Sequence, residues 1–389
     1  MPIPKSIYVA IFTLTASIGV VFGLIASLQD DLGFADGILG LIAASAFFSA
    51  VVAQLLLAPL ADRGHTKILM AGAIMIAASG SLWFAVASSA WELILARLLT
   101  GLGIGAFAPA ARAVVANADP SRAGERLGRL TAVETSGFVA GPVVGAFINE
   151  IWGLKAPFLT FFCALVLILP SLLRVKFPSP PVKSKVSRTD SVFVILSRKE
   201  ALGSILLGAA LFFPAGMYEA IWARFMEDLG ASTLFVGVSL TMYGIPFAIT
   251  ASMAGKFIDR SGPWLAAVFA VVIIIPMTVI YGFLTSPILL MALAMFEALG
   301  QGIGSPACHA AMVAATDENE RATGQGLVAA ASSIGAGIAA LIAAPLYAGP
   351  GPEVTFIIVA GVVLVLSLIA FRLKGFAFLQ PVRGLVSHD

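Results

Sequence analysis

Twelve stretches of roughly 20 apolar residues follow one another along this chain, each long enough to cross about 30 Å of hydrocarbon. They are read at about 7–28, 37–59, 68–88, 91–116, 128–149 and 155–175. Six more follow at about 202–222, 233–255, 263–284, 287–315, 323–347 and 353–373. In hydrocarbon a backbone must satisfy its own polar groups, so each stretch is expected to be a helix. Of 389 residues, 59% are hydrophobic and 11% charged, so the chain lives in a bilayer. Residues 1–28 read as a first span and not as a signal peptide, because Lys5 alone precedes the apolar run and no small-residue cleavage site follows.

The net charge of +2 says little, but the positions of the charges set an orientation. Short loops rich in Lys and Arg stay in the cytoplasm. With both termini inside, only Lys155 and Arg224 fall outside, and Arg97 lies within a span. A multi-pass protein with cytoplasmic N- and C-termini is therefore expected. Compactness and short loops suit a bacterial plasma (inner) membrane.

The longest polar interval, Lys176 to Glu200, contains Pro178, Pro180 and Pro181 and then several bases. It reads as a cytoplasmic linker. The expected organisation is a six-helix bundle over 1–175, a linker over 176–201, and a second six-helix bundle with a short cytoplasmic tail over 202–389. Within the linker, Ser191 to Ala201 has the makings of a short helix on the membrane surface. The two halves also repeat: L-A-D-R at 60–63 returns as F-I-D-R at 257–260, and G-I-G at 103–105 returns at 302–304. Gly128 and Gly137 find counterparts in Gly326 and Gly335, and the four separations are 197, 199, 198 and 198 residues, which marks a duplication.

Gly137, Gly141 and Gly145 recur every four residues and form a groove where a neighbouring helix can come close. Pro142 in the same stretch can loosen the helix. Enzymatic patterns are missing from the text of the chain: it has no P-loop, no His-Glu-x-x-His and no paired Cys motif. Cys163 and Cys308 sit in apolar spans and read as packing residues. Neither a cofactor nor a metal site nor nucleic-acid binding is indicated, and the chain is not expected to be an enzyme.

At this point the chain resembles the major facilitator superfamily over essentially its whole length. A-P-L-A-D-R-G-H-T-K at 58–67 looks like the family's signature loop, and G-K-F-I-D-R-S-G-P at 255–263 is its second copy. R-L-L-T-G at 97–101 is similar to the family's Arg-x-x-x-Gly motif in the fourth span, and P-S-R-A-G-E-R-L-G at 120–128 has the family's usual form before the fifth. The tract from Gly128 to Ala146 resembles the glycine-proline motif that this family associates with proton-exchanging exporters. Departures are Ala58, His65, Thr66 and Ala146, and a first span with Thr13, Thr15 and Ser17 but no acid. The resemblance implies twelve transmembrane helices in two pseudo-symmetric six-helix bundles, an all-α polytopic fold working by alternating access.

Ionisable groups within spans are costly, and each is a functional candidate. Glu134, Glu297, Glu219 and His309 are the candidates for proton coupling. Glu134 lies six residues past Gly128, about 9 Å along a helix, where it reads equally as a proton carrier or as a latch paired with Arg112 or Arg129. Glu219, beside Trp222 and Arg224, reads first as interfacial anchoring, and His309 first as packing. The resemblance implies that Arg97 and Glu297 face each other across a central cavity lined by spans 1, 4, 7 and 10. Thr13, Ser17, Phe107, Phe212, Phe213 and Phe296 are the other cavity candidates. Asp62, Arg63, Arg112, Asp259 and Arg260 are expected to form latches at the cytoplasmic helix ends, with Asp62 on Arg112. Gly128, Gly137, Gly141, Pro142 and Gly145 are expected to pack helices.

The leading reading is proton-coupled export of a small apolar or amphipathic compound by a secondary transporter whose partners are the bilayer, protons and its substrate. A monomer suffices, since two bundles enclose their own cavity. The rivals are an uptake symporter or facilitator for a small metabolite or an organic anion held by Arg97, and a membrane sensor that binds without transport.

Overall fold

The computed structural model describes residues 5–57, 65–118, 123–175, 188–317 and 320–375. Among them are thirteen helices and no strand. The first half contributes α1 (Lys5–Leu32), α2 (Gly37–Leu56), α3 (Thr66–Val86), α4 (Ala90–Ala118), α5 (Ala123–Trp152) and α6 (Lys155–Leu173). A short α7 (Arg188–Ser197) precedes α8 (Lys199–Asp228), α9 (Thr233–Ser261), α10 (Pro263–Tyr281), α11 (Pro287–Ala315), α12 (Arg321–Ala348) and α13 (Pro352–Lys374). All but α7 are long and apolar enough to span a bilayer. The spans start where local chemistry lets a helix start: Pro263, Pro287 and Pro352 occupy first-turn positions that need no N–H donor. Ser232 caps α9 by accepting from the Phe235 amide at 3.2 Å. Gly262, the glycine of the second signature loop, separates α9 from α10 at φ +81°, a left-handed conformation that other residues rarely adopt.

Packing follows the repeat. In the first half α1 lies on α5, α2 on α4 and α3 on α6; in the second α8 lies on α12, α9 on α11 and α10 on α13. The glycine groove explains the first of these pairs. A Cβ at Gly137 would run into the Phe12 carbonyl and the Thr15 hydroxyl, and one at Gly141 into the Ala16 carbonyl, so α1 sits directly on the α5 backbone. Gly335, the counterpart of Gly137, meets the Ala209 carbonyl of α8 at 2.8 Å from its would-be Cβ. Gly128 departs from the expectation. A Cβ there would touch nothing within 4 Å, as at its counterpart Gly326, because both lie at exposed helix ends beyond the groove.

The two ends of the molecule differ. At the linker end, where α1 begins and α13 finishes, each bundle has its own apolar core: Ile7, Leu14, Met70, Phe107 and Leu172 in one, Leu207, Trp264, Cys308, Met312 and Phe371 in the other. At the far end one core spans both bundles and includes Val20, Leu24, Ile42, Phe213, Met217, Trp222, Ala340 and Phe356. Polar ties cross between bundles there as well, with Ser27 Oγ 3.2 Å from Thr233 Oγ1 and Arg224 donating to Asp30 at 2.7 Å. Between described residues, the ion pairs at the linker end stay within one bundle. The structure is closed at the far end.

Candidate functional site

The centre of the far-end seam holds the buried charges. Arg97 lies seven residues into α4, about 10 Å along the helix. Its guanidinium is 1% exposed and forms an ion pair with Glu219 of α8, across the boundary between bundles. Val21, Phe22, Ile25, Ile42 and Ala43 surround the pair. Taking both charges out of water is expensive, and in so apolar a setting their mutual attraction offsets much of that cost. The pairing uses one guanidinium nitrogen. Nη1 reaches the Ile18 carbonyl at 3.4 Å, while Nε has no partner among the described residues.

One residue back on α8, about 100° round the helix, Tyr218 faces the other way. Its hydroxyl lies 3.0 and 2.9 Å from the two carboxylate oxygens of Glu297 on α11. Tyr281 of α10 donates to the same carboxylate at 2.8 Å. Thr278, one turn earlier on α10, is 3.4 Å from the Tyr218 hydroxyl. Trp222, on the same face as Tyr218 at i+4, packs its ring 5.4 Å from Tyr218 and 5.7 Å from Tyr281, and its indole N–H donates to Ser239 at 3.2 Å. Glu297 is 1% exposed, and no cation among the described residues pairs with it. It is a carboxyl group held by phenols in an aromatic cage.

The chain therefore brings Arg97, Glu219 and Glu297 together, but in a pairing different from the expected one. Arg97 meets Glu219 and not Glu297, because Glu297 turns toward α8 and α10 within its own bundle. Glu219 is interior, and the interfacial arginine Arg224 bonds instead to Asp30 and Asp228, both at 2.7 Å. Phe107 belongs to the first bundle's own core and Phe213 to the shared one, while Phe212 packs against the second bundle's core. Phe296 stands next to Glu297 in the chain but on the exposed flank of α11, 48% accessible. None of these four lines the charged site. Thr13 and Ser17 are buried on α1, where the Ser17 hydroxyl bonds the Leu14 carbonyl at 2.7 Å.

The remaining candidates gather at the linker end. Arg112 binds both oxygens of Glu134 at 2.9 and 2.7 Å, joining α4 to α5. His309 Nδ1 is 2.6 Å from Gln325 Oε1, and the Gln325 amide donates to the His309 carbonyl at 2.8 Å, so that α11 and α12 are held together. Asp259 and Arg260 are exposed and make no ion pair among the described residues, which leaves the second signature loop without the expected latch. Asp62 and Arg63 lie outside the described residues. The cage residues Tyr218 and Tyr281 escaped the sequence reading, and Trp222, read there as an interfacial anchor, is instead part of the cage. All 5 tyrosines of the chain fall within apolar spans and none stands beside Glu297 in the sequence, so the order of residues carried no signal that links Tyr218 or Tyr281 to that acid.

The family profile described as Major Facilitator Superfamily matches residues 7–223 and 205–381. The chain belongs to the Major Facilitator Superfamily. It is a multi-pass membrane transporter and not an enzyme. Among curated relatives of this superfamily, the Multidrug resistance protein MdtG of Klebsiella pneumoniae is 26% identical over 362 residues, covering 90% of this chain and 87% of that protein. MdtG of Escherichia coli O6:K15:H31 is 25% identical over 339 residues, 84% of this chain and 81% of that protein. Among solved structures, a bacterial homolog of the human lysosomal transporter Spinster, inward-facing and occupied, superimposes with a TM-score of 0.79 at 15% identity over 95% of this chain and 96% of that one. A D-xylose-proton symporter gives 0.78 at 14% identity, over 95% and 97%. Such likenesses establish the superfamily fold.

Proposed function

We propose that this protein exports a small apolar or amphipathic compound in exchange for protons, as a single chain in a bacterial plasma membrane with its linker end in the cytoplasm. The observation that carries the reading is Glu297, a carboxyl group sealed among Tyr218, Tyr281 and Trp222 with no cation beside it among the described residues. A proton removes the charge that makes such burial costly, so taking up and losing that proton is naturally tied to whether the site is wet or dry. On this reading Glu297 is the proton carrier, the Arg97–Glu219 pair closes the outer side, and the state described is inward-facing. The names of the MdtG relatives support export of drug-like compounds. The test uses purified protein in liposomes under an imposed pH gradient. Amphipathic compounds should discharge the gradient with the parent protein and fail to do so with Glu297→Gln. Equilibration of a labelled compound without proton movement, in parent and variant alike, would overturn it.

A second reading rests on the free Nε of Arg97. A guanidinium that uses so few of its donors can seat an organic anion in place of Glu219. The displaced carboxyl would then need a proton to stay buried, so anion and proton would travel in the same direction. The same liposomes separate the two readings, because an anion gradient would drag protons with it and acidify the receiving side.

A further inference from the structure

The short helix α7 has a face that no described residue covers. Ile195 is fully buried in the second bundle's own core, which fixes α7 against the linker end of α8. The opposite side presents Phe193 at 73% exposure, with Val194 and Leu196 also exposed. Three large apolar side chains on one flank of a ten-residue helix are far from what a water-facing linker needs. The helix runs straight into a membrane span, since Arg198 alone separates Ser197 from Lys199, the first residue of α8. The flank therefore sits at the level where hydrocarbon gives way to headgroups. The charge around it has one sign in excess. Among the described side chains, Lys199, Lys256, Arg260 and Arg372 are exposed at the same end of the bundle against the acids Asp259 and Asp317, with Glu200 held by Lys374, and the sequence from 176 to 190 carries Lys176, Lys183, Lys185 and Arg188 against the single acid Asp190.

We infer that α7 docks on the surface of an anionic bilayer leaflet, with Phe193, Val194 and Leu196 in the acyl boundary and the surrounding bases among the lipid phosphates. The docking has a route into the transporter. Arg198, at the junction of α7 and α8, donates to Glu320 at 2.6 Å, to Asp317 at 3.2 Å and to the Ala315 carbonyl at 3.2 Å. These three acceptors flank the connection between α11, the helix that carries Glu297, and α12. A lipid surface that positions α7 thereby also positions that connection. The inference is independent of which compound is moved and in which direction.

The test places a nitroxide spin label at Phe193→Cys, and separately at Val194→Cys, in a Cys163→Ser and Cys308→Ala background. The full chain is reconstituted in phosphatidylcholine liposomes with and without one part in three of phosphatidylglycerol. Collision with oxygen, which dissolves in the acyl region, is compared with collision with a water-soluble nickel complex. The expected result is a high oxygen-to-nickel ratio that rises several-fold with phosphatidylglycerol and falls back in high salt. Free access of nickel would overturn the inference by placing the flank in water. Protection from both reagents would overturn it by placing the flank against protein. Equal ratios in the two lipids would overturn the anionic requirement.

Discussion

Arg97 and Glu219 form an ion pair that joins the two halves of the molecule, with one partner 1% and the other 8% exposed. Every other crossing at the far end is a helix contact or a polar tie nearer the surface. This pair is the buried polar fastener of the closed side.

Truncating one partner strands the other charge in apolar surroundings. Glu219→Ala is expected to destabilise the protein by about 3–5 kcal/mol, whereas Arg97→Leu with Glu219→Leu together should cost far less. Thermal unfolding in detergent reads both. A double variant as unstable as the single one would mean that the pair holds the halves together by more than mutual neutralisation.

Glu297→Gln keeps the shape of the side chain and removes the titratable group. Substrate-dependent proton flux should vanish while the helical content and melting temperature stay close to those of the parent. Tyr281→Phe, which deletes one phenol donor at 2.8 Å, should shift the pH profile of transport without abolishing it. A profile identical to that of the parent would remove the cage from the mechanism.

The glycine groove separates positions that look alike in the sequence. Gly141→Ala drives a methyl group into the Ala16 carbonyl and should cost roughly 1–3 kcal/mol and slow transport. Gly128→Ala meets nothing within 4 Å and should leave activity intact, gaining up to about 1 kcal/mol from helix propensity. Melting temperatures with parallel transport rates decide the comparison.

Arg112 and Glu134 make a two-pronged contact, but with side chains 44% and 20% exposed. Arg112→Ala should therefore cost less than about 1 kcal/mol, and the loss should shrink further in high salt. A large, salt-independent loss would show that the pair is buried during most of the cycle.

Much of this architecture is legible in the chain because hydropathy is a local property. Each span announces itself, and the duplication follows from glycines and Asp-Arg pairs at matching spacings. The buried charges are legible one at a time, for an ionisable group in a span stands out wherever it is. Their pairing is not, because it turns on the rotation of α8 about its own axis. Tyr218 and Glu219 are neighbours in the chain, and one face of the helix had to look toward α11 and the other toward α4. Nothing in the order of residues says which. Phenylalanines fail for a simpler reason: Phe107 in a core and Phe296 on a flank carry the same letter, with no polar atom whose needs would tell them apart.

The seam between α5 and α9 has a mechanical consequence. Gly237 of α9 lies against the Pro142 carbonyl and Gly244 against the Val139 side chain, seven residues or about two turns apart on one face. Between them the Thr241 hydroxyl donates to the Val139 carbonyl at 2.8 Å. Apart from Val139, seated in the notch at Gly244, the glycines leave few interlocking side chains here to lift over one another when the halves move. The seam serves as a bearing, on which one bundle can roll against the other, and resistance to that rolling is concentrated in the polar fasteners at the far end.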